Sequence, residues 1–190
     1  MQTSNLPESF KYNSKIAGYF AAVCGLVLVV ASLSQVGISW WREIAIFAML
    51  SLLAQLIPAR LPQGYSFSLA FVLDLIVIVL YGPPVATLTR FTVTLLAGLL
   101  TRVMGHGDSR QNVFFTTVEG VLTVELAGAA YELAGETLGA FIAATVVYFL
   151  VNTFFAALYG LRVNKEQVSS GWISVIRSLY LYFFVLSILA

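Results

Sequence analysis

Two long apolar segments meet at Gly82-Pro83-Pro84, and each carries one charged residue. Asp74 lies in the first segment and Arg90 in the second, and both are eight positions from Gly82. At ~1.5 Å of rise per residue, each charge is roughly 12 Å from the turn along its helix. We therefore expect an antiparallel helical hairpin in which the acid and the base meet at one depth inside a membrane.

The composition is that of an integral membrane protein. Of the 190 residues, 59% are hydrophobic and 10% are charged, and the mean hydropathy is +0.91, whereas an average soluble domain is about 25% charged. The length allows six to eight spans of about 20 residues and leaves nothing over for a soluble domain. A formal net charge of +1 provides no clustered basic face for nucleic acid. The expected surroundings are the lipid bilayer.

The apolar runs predict an all-α fold, a polytopic transmembrane helical bundle that forms a single domain over residues 1–190. Trp40 and Trp41 suit the headgroup depth at the start of the second span, and Pro58 and Pro62 mark a firm boundary after it. About seven spans are expected, at residues 16–33, 40–57, 66–81, 84–102, 113–134, 138–161 and 172–190.

Basic residues outside the spans are distributed unevenly between the two sides. If the spans alternate, eight basic residues fall on the side of the N-terminus and only Arg42 falls on the other. The positive-inside rule then places the N-terminus in the cytoplasm and the Gly82 turn outside. The eight are Lys11, Lys15, Arg60, Arg102, Arg110, Arg162, Lys165 and Arg177. The last span runs apolar to Ala190 without a polar anchor, which suggests either a fragment or the front half of a longer protein.

Four charged residues are expected within the hydrocarbon region of the membrane, away from the ends of the spans, and they are the candidates for ligand binding or signal sensing: Asp74, Arg90, Glu119 and Glu125. A charge at mid-bilayer costs about 2.5 to 3.5 kcal/mol, so each should face the bundle interior and be paired. Arg90 can satisfy Asp74 with a two-pronged contact. The two glutamates are left without a basic partner. They are either protonated, or they await a cation, an amine, a proton or another subunit.

Each of these residues also has a structural interpretation. The Asp74–Arg90 pair is either a pin that fixes the register of the hairpin or a ligand or signalling site. Glu119 lies on one helical stripe with Thr116 and Thr123, which makes a compact polar site. Glu125 is expected to hydrogen-bond between helices. The structural polar candidates are Thr94, Thr123 and Asn152.

The sequence indicates no catalytic chemistry. The single cysteine, Cys24, lies in an apolar run and the single histidine, His106, lies in a polar loop, so no metal site is expected. No combination of serine, histidine and acid predicts an activated nucleophile. We therefore expect a protein that is not an enzyme and carries no cofactor or metal.

The order of motifs resembles a known class of membrane module. A proline-bounded exit, PARLP, is followed by GYSFSLAFVLDLIVIVLYGPPVATLTR, a polar loop ending in Arg110-Gln111-Asn112, a span with Asn152 and a final helix, WISVIRSLYLYFF. From about Pro58 to Ala190 this is similar to the N-terminal membrane sensor modules of bacterial signalling proteins that continue into HD-GYP or GGDEF output domains. The four charged residues within the spans depart from that pattern.

The resemblance implies a multi-pass sensor or input module of the bacterial inner (plasma) membrane, with a cytoplasmic effector domain beyond Ala190. The chain is also similar in size and in its Gly-Pro hairpin to the substrate-binding subunits of energy-coupling-factor transporters, which implies a small-molecule transport component. A third interpretation is an accessory subunit that packs against other membrane subunits through its spare glutamates.

Overall fold

The computed structural model describes residues 8–56, 59–60, 66–67, 70–103, 110–135 and 137–163, with side chains over 20–56, 70–103, 113–135 and 137–155. The described part of the chain is almost entirely helical, as the sequence predicts. Six α-helices follow one another: α1 Glu8–Gln35, α2 Trp41–Leu56, α3 Ala70–Tyr81, α4 Pro83–Val103, α5 Arg110–Leu133 and α6 Leu138–Val163. A short 3-10 helix, Ile38–Trp40, precedes α2.

The segment between α2 and α3 differs from the prediction. Helix α3 begins at Ala70 instead of residue 66, because Ser66–Phe67 forms a two-residue strand that pairs antiparallel with Ala59–Arg60. Helix α3 is therefore only 12 residues long. At ~1.5 Å per residue it extends roughly 18 Å, which is short of the ~30 Å hydrocarbon core of a bilayer.

Gly82 alone separates α3 from α4, which confirms the expected hairpin. Its φ of +82° lies in the left-handed region that favours glycine. Its N–H donates to the Ile78 carbonyl at 2.9 Å and closes α3, and its own carbonyl accepts from the Ala86 N–H at 3.3 Å and opens α4. Pro83 is the first residue of α4, where a missing N–H is harmless.

Side-chain contacts bring the turns of the bundle to the same end. The ring of Tyr81, at the end of α3, lies 5.5 Å from that of Trp40 and 5.6 Å from that of Phe47, centroid to centroid. These contacts seat the α1–α2 connection beside the α3–α4 turn. Pro83 lies against Gly128, near the end of α5. The α5–α6 turn therefore lies at this end too.

Helix α4 is central and packs against α1, α2, α3 and α5, while α6 covers α5. The core between them is filled by small and branched apolar side chains, among them Val77, Val93 and Val124, which are fully buried. Large apolar side chains also point outward: Met49 is 64% exposed and Leu80 60% exposed. An outer surface of this kind suits lipid better than water.

Three helical segments are long and apolar enough to cross a membrane: Pro83–Val103, Val113–Leu133 and Leu138–Phe155. Phe20–Gln35 and Ile38–Leu56 qualify only together, and they are bent by 105° relative to each other. Taken as one unit they make a broken span or a re-entrant loop, and the two separate spans expected at 16–33 and 40–57 stay a prediction. The described residues thus contain up to four crossings. The predicted seventh span, 172–190, lies outside them.

Candidate functional site

Asp74 and Arg90 meet inside the bundle, as the spacing about Gly82 predicts. Arg90 Nη1 lies 3.3 Å from Asp74 Oδ2, and the side chains are 14% and 0% exposed, respectively. Asp74 Oδ1, also buried, accepts no hydrogen bond from the described residues. The expected two-pronged contact is therefore not formed, and one carboxylate oxygen of Asp74 faces the core unused.

A third helix contributes Tyr148 to this pair. Its hydroxyl donates to Asp74 Oδ2 at 2.6 Å, between α6 and α3. Phe71 lies one turn before Asp74 on the same face of α3, and its ring packs against that of Tyr148 with centroids 6.5 Å apart. The tilted contact between the two rings helps to hold the Tyr148 hydroxyl near the carboxylate. We call Asp74, Arg90 and Tyr148 the central cluster.

Glu119, on α5, lies beside this cluster on the far side of Arg90. Gly120 allows the approach: a Cβ added there would lie 2.9 Å from Arg90 Nε and 3.2 Å from its Cγ. Arg90 acts electrostatically on the half-buried carboxylate of Glu119 as well as on that of Asp74. The guanidinium thus lies between Asp74 on α3 and the segment of α5 that carries Glu119 and Gly120.

Glu125 forms a separate cluster nearer the turns. Ser32 Oγ, from α1, and Thr87 Oγ1, from α4, both donate to Glu125 Oε1, at 3.0 and 2.9 Å. Three helices are therefore joined at one carboxylate oxygen. These are the interhelical hydrogen bonds that the sequence led us to expect of Glu125, and we call the three residues the Glu125 cluster.

The polar residues predicted to be structural behave differently from one another. Thr94 and Thr123 are buried, but their hydroxyls donate to their own helices, at Arg90 O and Glu119 O, 2.9 and 2.8 Å away. Asn152 is half-buried on α6, and no hydrogen bond joins it to another residue in the described ranges. The predicted stripe of Glu119 is incomplete, because Thr116 is exposed.

The sequence did not identify two residues of these clusters, Tyr148 and Ser32. Tyr148 lies on the polar side of α6 with Thr145 and Asn152, and helical spacing is enough to show that these three share a face. The spacing does not show that Asp74 on α3 is the hydrogen-bond partner of Tyr148. Ser32 stands among apolar and small residues with no signal of its own. Only the packing of α1 against α4 and α5 shows that its hydroxyl is used.

The central cluster joins three helices through an ion pair and a hydrogen bond. The Glu125 cluster joins three helices through hydrogen bonds. No group of three or more His, Cys, Asp or Glu residues within the described ranges is arranged to hold a metal ion. No family model matches this chain, and no curated protein matches it significantly.

Proposed function

We propose that this chain is a non-catalytic membrane sensor, the input module of a bacterial signalling protein, with the central cluster as its responsive element. The observation that carries the proposal is the sharing of Arg90 between Asp74 and Glu119. A buried charge with two alternative partners is a bistable device, because either pairing satisfies the guanidinium while leaving one acid to be neutralised in another way.

A signal would act by changing which acid holds the guanidinium. Neutralising Asp74 by a proton releases Arg90 toward Glu119 and moves α4 and α5 relative to α3 and α6. Packed helices respond to such a change with shifts of about 1–2 Å. Because the Asp74 side chain is fully buried, a small-molecule substrate has no direct route to it, which favours sensing over substrate binding.

The proposal includes placement in the bacterial inner membrane as a multi-pass protein with its N-terminus in the cytoplasm. The excess of basic residues on that side supports this orientation. In this arrangement α6 and the residues after it transmit the shift toward a cytoplasmic effector that follows Ala190.

Distances between spin labels on α3 and α6 test the switch. Labels are placed at Leu80 and Leu150, both of which point outward, in a chain whose only cysteine, Cys24, is replaced by Ala, and distances are measured in lipid bilayers. Asp74→Asn should move the mean distance by about 1–2 Å. Glu119→Gln should leave the mean distance unchanged, because Arg90 is already paired with Asp74.

A matched control replaces a buried hydroxyl on α4, the helix of Arg90, whose hydrogen bond stays within its own helix. Thr89 is 1% exposed and donates only to Val85 O of α4, so Thr89→Val should leave the distance unchanged. If Asp74→Asn leaves the distance unchanged, or prevents folding altogether, the pair is a structural pin and the proposal is wrong.

The effector is tested by the intact mass of the native polypeptide isolated from its own membrane. A polypeptide that continues past Ala190 into a soluble domain supports a sensor. A native chain of about this length that co-purifies with stoichiometric membrane subunits contradicts it and favours a transporter component or an accessory subunit.

A further inference from the structure

An apolar groove of about 370 Å³ lies between α1, α4 and α5. Its α5 wall runs from Val113 to Val121, eight residue steps or roughly 12 Å along the helix. The one hydroxyl in the lining, that of Thr117, donates its proton to Val113 O at 2.8 Å and has none left to donate to a ligand. The walls therefore provide only apolar contact.

The Glu125 cluster lies one helical turn beyond one end of this groove. Val29 precedes Ser32 on α1 and Val121 precedes Glu125 on α5, and Phe91 lies one turn from Thr87 on α4. Residues three or four apart occupy the same helical face. The lining of the groove is thus apolar, and a polar cluster follows it on the same faces of all three helices.

The carboxyl group of the Glu125 cluster lacks a basic partner within the part of the chain that the structure describes. No ion pair joins Glu125 to a basic residue among those described. Both hydroxyl donors use Oε1, so Oε2 accepts no hydrogen bond from the described chain, and the glutamate is only half-buried. The open carboxylate oxygen is suited to a donor that brings positive charge.

We propose that this groove binds a single-chain amphiphile with a protonated amine head group, its ammonium at Glu125 and its chain along α1, α4 and α5. The placement suits a bilayer. Thr87 is in the fifth position of α4, near the turns, so the head lies toward the membrane surface and the chain extends toward the middle of the helices. The site is distinct from the central cluster and does not depend on the proposed sensing role.

Photoaffinity labelling of the full chain in lipid nanodiscs tests the site. The probe is dodecylamine with a diazirine at the far end of its chain, and labelled peptides are identified by mass spectrometry. Labelling is expected on the α1, α4 and α5 segments that line the groove. The matching dodecanol and dodecanoate probes should label these segments about tenfold less, the difference expected when a carboxylate loses its charged partner.

Two variants separate the head-group contact from the groove. Glu125→Gln keeps an acceptor for Ser32 and Thr87 but removes the charge, so it should fold and lose about tenfold in dodecylamine labelling. Ala22→Phe fills the groove wall on α1 and should abolish labelling. Ala45→Phe is the same change at an exposed position of α2 away from the groove and should have no effect.

Three outcomes would overturn the proposal. Equal labelling by dodecanol would remove the role of charge, and unchanged labelling of the Ala22→Phe variant would place the probe elsewhere. If none of the three probes labels these segments, the groove is occupied by bulk lipid or by the chain's own residues 164–190. None of these results alters the spin-label distances, so the amphiphile site and the sensing role fail separately.

Discussion

The hydroxyl of Tyr148 helps to hold the central cluster together through its hydrogen bond to Asp74. Asp74 is buried on every side, and Tyr148 is the neutral donor that supports its charge. A hydrogen bond to a buried carboxylate is stronger than one between neutral groups, and losing it leaves an acceptor that water cannot reach. The Tyr148 hydroxyl therefore stabilises the fold and also biases Arg90 toward Asp74.

Removing this hydroxyl should be costly. We expect Tyr148→Phe to lower the free energy of unfolding by about 1–3 kcal/mol, because the ring still packs on Phe71 while the carboxylate loses its donor. Unfolding by a denaturing detergent titrated into mixed micelles measures the change.

Tyr81→Phe is the matched control. The Tyr81 ring packs on Trp40 and Phe47, but its hydroxyl makes no hydrogen bond to another described residue, so the change should stay within about 0.5 kcal/mol. Equal losses in the two variants would mean that the Tyr148 hydroxyl has no special role.

Among the helices, close approach depends on glycine at specific crossings. A Cβ added to Gly128 would lie 2.6 Å from both Cβ and Cγ of Pro83, and one added to Gly98 would overlap the side chain of Val113. Both contacts join α4 to α5, one near each end of α4. Without a hydrophobic driving force between helices in lipid, such backbone approach is a main source of association.

The crossing at Gly128 is the more rigid of the two, since a proline ring cannot rotate away. Gly128→Ala should push the start of α4 from α5 and lower the free energy of unfolding by about 1–3 kcal/mol, measured in the same detergent titration. The hydrogen bond from Thr87 to Glu125 lies one turn further along and should weaken with it.

Gly139→Ala provides the comparison at the start of α6. A Cβ at Gly139 meets only Thr137 Oγ1, at 3.5 Å, which is ordinary contact, so stability should change by less than about 0.5 kcal/mol. A Gly128→Ala protein as stable as this control would show that α4 shifts without loss.

At the scale of the whole molecule, the connections α1–α2, α3–α4 and α5–α6 lie at one end of the bundle. The contacts of Tyr81 with Trp40 and of Pro83 with Gly128 establish this independently of any membrane. One end of the bundle therefore carries all three connections, and the opposite end carries the end of α4 and the start of α5.

The proposed orientation makes this end external, and labelling of single cysteines in intact cells tests it. In a Cys24→Ala background, cysteines at Ser39 and Thr137, both exposed, should react with a membrane-impermeant maleimide. A cysteine at Arg102, exposed at the other end of α4, should react only after the cells are opened. Reaction at Arg102 in intact cells together with protection of Ser39 and Thr137 would reverse the orientation.

The sequence alone determined the helical class, the turn at Gly82 and the meeting of Asp74 with Arg90. These depend on short-range rules: apolar runs form helices, Gly-Pro ends one helix and begins another, and equal spacing from a turn sets equal depth. The hairpin was predictable because both partners lie within nine residues of one turn, so the chain itself fixes their relation.

Only the tertiary structure decided the partners that come from distant helices. Tyr148 lies 74 positions from Asp74, and Ser32 lies 93 from Glu125, and neither pairing follows from spacing because helix rotation and neighbour choice depend on packing over the whole bundle. The same packing set the angle between α1 and α2 and left a groove whose last lining residue on α5, Val121, lies one turn from Glu125. Helical periodicity shows which residues share a face, but the neighbour that meets that face is set by the fit of side chains between helices.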